Sequence, residues 1–221
     1  MCRVVTVITI PHRLCDARFD HPSRRYERAC VTTALFLRDV VKRPLEMGAI
    51  LPSSRHLAAA MVDAARVRRG DTVLELGAGS GSFTAELARR HPRSPLVLVE
   101  PGVELAAGLS QRFPTARVCA VRAQDLSTLG LARGSVHRVV SGLPWALWST
   151  DVQNEILEVL SPLLSTDARL VTFHYVHSRA LGRVAAFRHL LCRRFAKVEH
   201  SAPVWRNVPP AYVHIAEGPR G

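Results

Sequence analysis

The chain has 221 residues, 48% of them hydrophobic and 22% charged, with a formal net charge of +12 and a sequence pI of about 10.8. That length suits one domain with a substantial core, and no apolar run approaches the ~20 residues that a membrane-spanning helix needs. Five cysteines (Cys2, Cys15, Cys30, Cys119, Cys192), odd in number, widely spaced and without a C-x-x-C pair, argue against both a disulfide framework and a zinc site.

The charge admits two readings: a footprint for an anionic partner, either nucleic acid or an acidic membrane surface, or an arginine-rich composition with no partner behind it. Arginines are strewn along the whole chain and no run of five like charges occurs, so charge alone does not choose. Residues 4–10 are apolar, but the stretch is short. His12, Arg13 and Asp16 follow it with no small-residue cleavage site, so the chain is expected in the cytoplasm.

Residues 1–28 form an unassigned appendage, punctuated by Pro11, Pro22 and Ser23, in which only residues 4–10 could pair as a strand. From residue 29 Val31, Ala34, Leu35, Leu37, Val40 and Val41 recur at helical spacing, with Arg38, Lys42 and Arg43 interspersed, until Pro44 stops the run. This basic amphipathic helix at 29–43 either packs flat on the domain or meets lipid or an acidic ligand at the surface. A non-helical stretch of small residues at 48–54 follows, and Ser53 or Ser54 caps a helix at 55–67 whose Leu57, Ala60, Met61 and Ala64 make one apolar face. These two helices occupy residues 29–67, and the core is expected over 68–221.

From Thr72 the pattern alternates: strand 72–77, helix 82–91, strand 95–100, helix 102–113, strand 117–122, strand 136–141, helix 150–163, strand 168–175, helix 178–194, and closing strands near 196–202 and 210–216. Such alternation predicts an α/β domain with a mainly parallel sheet covered on both faces. The short turn at 204–209 makes the closing pair an antiparallel hairpin.

The first strand ends in Glu75-Leu76-Gly77-Ala78-Gly79-Ser80-Gly81, an E-x-G-x-G-x-G run before a helix. Alternate glycines let the backbone turn and approach a ligand with no Cβ in the way, and the helix N-terminus aims free N–H groups at the same spot. In a doubly wound sheet ligands bind at the carboxyl ends of the strands. The second strand end supplies Glu100, about twenty residues beyond the turn, where an acid accepts from a ribose diol. The third supplies Asp125, either an acceptor for an adenine amine or the N-cap of a helix at 126–131. The fourth supplies Ser141-Gly142-Leu143-Pro144-Trp145, with an aromatic face suited to a sulfonium or ammonium. A nicotinamide enzyme holds a pyrophosphate on its glycine turn. Glu75 at the turn's entrance would repel phosphates and attract an ammonium, which favours S-adenosylmethionine over NAD.

These residues resemble class I S-adenosylmethionine-dependent methyltransferases. More narrowly, Arg43-Pro44, Met47-Gly48-Ala49-Ile50-Leu51-Pro52-Ser53-Ser54, Ser141 to Pro144, Phe173 with Tyr175, and Asn207-Val208-Pro209-Pro210-Ala211 resemble the soluble bacterial phospholipid N-methyltransferases, which methylate phosphatidylethanolamine. The resemblance covers about residues 36–216. It implies a Rossmann-like, seven-stranded fold with a C-terminal antiparallel hairpin, and a cofactor set of Glu75, Gly77, Ala78, Gly79, Gly81, Glu100, Asp125, Ser141 and Gly142. It also implies peripheral contact with the anionic inner face of the membrane through 29–43. Met47, Ile50, Ser53, Leu143, Pro144, Trp145 and Trp148 form the expected acceptor side.

A neighbouring family, the ribosomal RNA adenine dimethyltransferases, carries Asn-Leu-Pro-Tyr or Asn-Leu-Pro-Phe where this chain has Gly142, Leu143, Pro144 and Trp145. The asparagine carbonyl that accepts from the adenine amine is missing, no Gln-Asn-Phe-Leu element occurs near residues 35–37, and the closing hairpin nearly reaches Gly221 where that family has a helical RNA-binding domain. RNA is therefore the second reading, and a small amine-bearing metabolite the third. His174 and His177 flank Tyr175, but without a carboxylate nearby they do not read as a metal site. An ammonium acceptor must lose a proton before it attacks, and Tyr175, His174 or Glu46 could take it; Tyr175, Trp145 and His174 are the expected catalytic residues.

Overall fold

A computed structural model describes residues 8–9 and 53–220. The expected helix at 29–43 and Glu46, Met47 and Ile50 lie outside the described residues. Ser54 accepts from the Leu57 amide at 3.2 Å and so caps α1 (Arg55–Ala65), which buries Leu57, Ala58, Met61, Val62 and Ala65 along one stripe. The apolar runs of β2 (Val73–Leu76) and β3 (Leu96–Val99) are buried at every position, as strands covered on both faces must be. Between them runs α2 (Ser82–Arg90), and after them come α3 (Val103–Arg112), β4 (Arg117–Cys119), a 3-10 segment at Ala123–Leu129 and β5 (Val136–Ser141). The second half holds α4 (Thr150–Leu160), β6 (Leu164–Tyr175), a 3-10 turn at Val176–Ala180, α5 (Gly182–Arg194), β7 (Phe195–His200) and β8 (Ala211–Pro219).

The strands order as β1-β7-β8-β6-β5-β2-β3-β4, where β1 (Ile8–Thr9) is a two-residue edge strand antiparallel to β7. β2 to β6 are mutually parallel, and β8 inserts antiparallel between β6 and β7. This is the expected α/β sheet with a C-terminal antiparallel pair, widened by β1. One core lies between the sheet and α4 and α5, and holds Leu74, Leu76, Trp145, Phe187 and Leu190. The other lies beneath α1 and α2, and holds Val73, Leu57, Met61, Phe83 and Val171. Among the described residues no helix is long and apolar enough to cross a membrane.

Several boundaries differ from the sequence expectation, three of them with a visible cause. β4 stops at Cys119 because the chain turns at Arg122 into the 3-10 segment. β6 begins at Leu164, since it follows β5 through a register shift between Val136 and Arg138. The helix expected over 178–194 is broken at Leu181, whose extended backbone separates the 3-10 turn from α5.

At the amino ends of the strands Arg138, 3% exposed at its side chain, pairs with Asp71 at 3.1 Å and donates to the carbonyls of His137 at 2.7 Å and Arg66 at 3.3 Å. A guanidinium so deep is tolerable only because its donors are met. Arg138→Ala leaves Asp71 buried without its cation, and denaturant unfolding is expected to show a loss of about 3–5 kcal/mol.

Candidate functional site

β2 lies between β3 and β5, the point where strand order reverses and a crevice opens at the carboxyl ends. The glycine turn fills its floor. Gly77, Gly79 and Gly81 have φ of 71°, 53° and 80°, the left-handed region that L side chains avoid. A Cβ on Gly77 would come within 2.9 Å of Leu143 Cδ2, and one on Gly81 within 2.9 Å of Leu109 Cδ2, whereas one on Gly79 would meet nothing within 4 Å. The turn is therefore backed by protein at its ends and open at its middle. Gly142 closes the other side: a Cβ there would stand 2.7 Å from the Gly77 carbonyl oxygen. Two backbones touch where β2 and β5 part.

The two acids beside the turn differ in kind. Glu100, directly after β3, accepts from Gly79 N at 2.8 Å through one oxygen and from Gly102 N at 2.9 Å through the other. Each oxygen keeps a lone pair for a further donor. Glu75, at the turn's entrance, belongs to β2. It is fully buried, one oxygen accepts from Thr84 Oγ1 at 2.8 Å, and the other has no partner among the described residues. Burial pushes this carboxyl up to about 8, opposed by the Thr84 hydrogen bonds. Asp125 stands at a kink within the 3-10 segment, with non-helical φ and ψ of −95° and 17°. Its carboxylate pairs with Arg122 at 2.9 and 3.1 Å, which holds its pKa below the usual value.

The expected catalytic trio is divided between the two faces of the sheet. Trp145 is 1% exposed, stacks on Phe187 at 4.3 Å between ring centroids, meets Trp148 edge to face at 5.8 Å, and donates its indole N–H to Ser141 Oγ at 3.0 Å. It is a core residue with no ring face left for a ligand. Ser141, fully buried, accepts from Trp145 and from Leu143 N, so its hydroxyl is a pin for this turn, not an open contact. His174 lies on the same face, 3% exposed against Phe187 and His214, and burial pushes it down to about 4. A neutral, enclosed imidazole there is unsuited to take protons from an acceptor. Trp148 packs partly buried on the same core, Leu143 backs Gly77, and Pro144 is half-buried.

Tyr175 sits on the glycine-turn face. Phe83, in the first turn of α2, meets Phe173 at 6.0 Å, Phe173 meets Tyr175 at 5.5 Å, and Tyr175 stacks on His177 at 5.5 Å. This aromatic row runs from behind the turn to the exposed His177. His174 and His177 thus engage different partners. The period-2 alternation of β6 could have separated Tyr175 from His174 in advance; which of the two faced the turn was not in the pattern.

Thr84 and Gln153 carry no signal of their own in the sequence, and Asn207 enters it only through the Asn-Val-Pro-Pro-Ala resemblance. Thr84 gives Glu75 its partner. Gln153, fully buried on α4, donates to the Trp145 carbonyl at 2.6 Å and holds the turn after β5. Asn207, 3% exposed, accepts from Ser54 N at 3.0 Å and donates to the Pro209 carbonyl at 2.7 Å. It ties the Ser53-Ser54 end of one expected motif to the Asn-Val-Pro-Pro-Ala of another, 153 residues away.

No family model matches the chain. Over 193 residues, 83% of this chain and 95% of the relative, it is 27% identical to an ornithine lipid N-methyltransferase from Singulisphaera acidiphila. It is 31% identical over 90 residues to a ribosomal RNA small subunit methyltransferase A from Maridesulfovibrio salexigens, a match that spans 41% of this chain and 34% of that enzyme. In fold it is similar to a SAM-dependent O-methyltransferase from Thermotoga maritima, with a TM-score of 0.59 at 16% identity, over 81% of this chain and 71% of that one. With this fold and this similarity along its length, the chain is a class I S-adenosylmethionine-dependent methyltransferase.

Proposed function

We propose that the protein N-methylates an amine carried on a lipid, of the phosphatidylethanolamine or ornithine-lipid type, in the cytoplasm at the membrane's inner face. The observation that carries this reading is the closed approach at Gly142: with 2.7 Å between a Cβ there and the Gly77 oxygen, the backbone has no room for the asparagine amide by which an adenine would be held. The relative matched along 95% of its length acts, by its name, on ornithine lipid, and the ribosomal RNA enzyme is matched over 34% of its own. RNA adenine is the second reading.

The residues present fit the cofactor. The open middle of the turn at Gly79 leaves room for a ligand, Glu100 retains acceptor capacity for ribose hydroxyls, and the oxygen of Glu75 that has no partner among the described residues offers a buried acceptor beneath the turn for the methionine ammonium. Asp125 is the acceptor we assign to the adenine amine, in exchange for Arg122. S-adenosylmethionine supplies a methyl already activated by its sulfonium, so the protein's contribution is positioning and desolvation. The acceptor amine, an ammonium in water, loses its proton more readily against Phe173 and Tyr175, where burial disfavours charge. Burial raises the Tyr175 pKa, so its phenol stays protonated and receives a hydrogen bond from the amine through oxygen. His177, exposed and stacked on that ring, stands where the proton leaves to water.

Two outcomes are expected. With labelled donor offered in parallel to phosphatidylethanolamine vesicles, ornithine-lipid vesicles, ribosomal RNA and small amines, the label enters a lipid amine; incorporation at an RNA adenine alone would select the second reading. The other concerns Glu75. Because its carboxyl rises from 4.5 to about 8 on folding, the native state holds the extra proton between those values. Stability should fall with rising pH across that window, by up to about 1.4 kcal/mol per pH unit, and level off above it. Glu75→Gln, which cannot ionise, should flatten this slope in thermal unfolding and weaken S-adenosylmethionine binding; an unchanged slope would remove Glu75 as the titrating group.

A further inference from the structure

Among the described residues the exposed large apolar side chains are Val103, Leu105, Leu181, Trp205 and Val208. All five lie at the same end of the sheet. Val103 and Leu105 open α3 just past the carboxyl end of β3, and Leu181 follows the carboxyl end of β6. Trp205 and Val208 belong to the turn before β8, whose first residue Ala211 pairs with Tyr175 at the end of β6. Val176 N donates to the Pro210 carbonyl at 2.8 Å, so the turns after β6 and before β8 form one continuous edge. This is the end that carries the glycine turn.

The turn before β8 has its polarity reversed. Asn207 points inward and is bonded at both ends of its amide, while Trp205 and Val208 on either side are 69% and 72% exposed. Val204 N bonds the Ala211 carbonyl at 2.6 Å and Asn207 N bonds the Val204 carbonyl, so the turn is braced and not merely a loose loop with stray apolar residues. Exposure at that level costs solvation unless something covers it. The charge beside it is of one sign: Arg206 lies within the turn and Arg179 beside Leu181, and neither 176–181 nor 202–210 contains an acid. The nearest acid among the exposed apolar segments is Glu104, on α3. A second copy would bring the same positive edge, and the amphipathic stretch at 29–43 carries Arg38, Lys42 and Arg43 against the one acid Asp39, so neither complements it. An anionic lipid surface does.

We propose that this edge is a bilayer-docking surface, with Trp205 and Val208 seated in the interfacial zone and Arg179 and Arg206 on headgroup phosphates. The crevice then opens against the membrane, and an amine headgroup reaches it without its acyl chains leaving the lipid. This rests on the lipid reading above, to which it adds a second contact besides 29–43.

The test uses tryptophan fluorescence of the full chain with vesicles of phosphatidylglycerol and phosphatidylcholine bearing brominated acyl chains. The chain has three tryptophans, and Trp145 is buried. Quenching of the wild type that is lost in Trp205→Phe supports insertion; equal quenching in both, or none in vesicle-bound protein, overturns it. Trp205→Ala combined with Val208→Asp should weaken vesicle binding at least about tenfold, while turnover on a short-chain, water-soluble amine lipid stays unchanged and reports an intact fold. Undiminished vesicle binding by that variant, or equal binding to purely zwitterionic vesicles, also overturns the proposal. Lipid methylation in detergent without Trp205 quenching on vesicles rejects the docking and keeps the lipid reading. Quenching without any lipid product does the reverse.

Discussion

The molecule is organised by one steric contact, between the Gly77 carbonyl and the α-carbon of Gly142. Parallel strands β2 and β5 run side by side until their carboxyl ends, where the chains must part to leave a crevice. They part around two residues with no side chains, so close that a single Cβ would stand 2.7 Å from the opposing oxygen. From that contact the glycine turn inherits its path, with Gly79 bonded outward to Glu100 and Glu100 bonded onward to the start of α3. Leu143 packs on Gly77, and the Ser141, Trp145 and Gln153 bonds fix the turn that follows β5. The turn is open where a ligand approaches and shut where an amide side chain would have to project.

The two faces of the sheet divide the aromatic residues by task. Trp145, Trp148 and Phe187 fill the core beneath α4 and α5, with His174 enclosed among them. Phe83, Phe173, Tyr175 and His177 line the other face, beside the glycine turn. The amine acceptor proposed above would need an aromatic surface that is reachable and low enough in dielectric to disfavour its charged form, and the second group has that character. The first group has spent its ring faces on one another.

Much of this was legible in the residues. The glycine turn, the apolar strands around it, Glu100 and the closing antiparallel pair follow from patterns whose physics is local: alternate glycines, buried β-branched runs, a short connection. What failed to follow was orientation. A strand covered on both faces shows no polar side, so nothing in residues 168–175 says whether Tyr175 or His174 faces the crevice. Proline and tryptophan after β5 looked like an aromatic wall for a ligand, and the indole instead turned back to Ser141. Nor does the strand pattern say what meets Glu75: its neighbours Leu74 and Leu76 face one core and Glu75 the other, under Thr84. Asn207 and Ser54 are far apart in the chain, and their bond is a property of the fold alone.

We propose that the crevice between β2 and β5 binds S-adenosylmethionine, with Glu100 accepting from its ribose hydroxyls. Calorimetric titration of the folded protein with S-adenosylhomocysteine, in parallel with a Glu100→Ala variant, tests it most directly. The account predicts one site per chain in the wild type and an affinity at least about tenfold lower in the variant, as expected for loss of two hydrogen bonds to a charged acceptor. Absence of binding heat in the folded wild type, or equal affinity in both proteins, would contradict it.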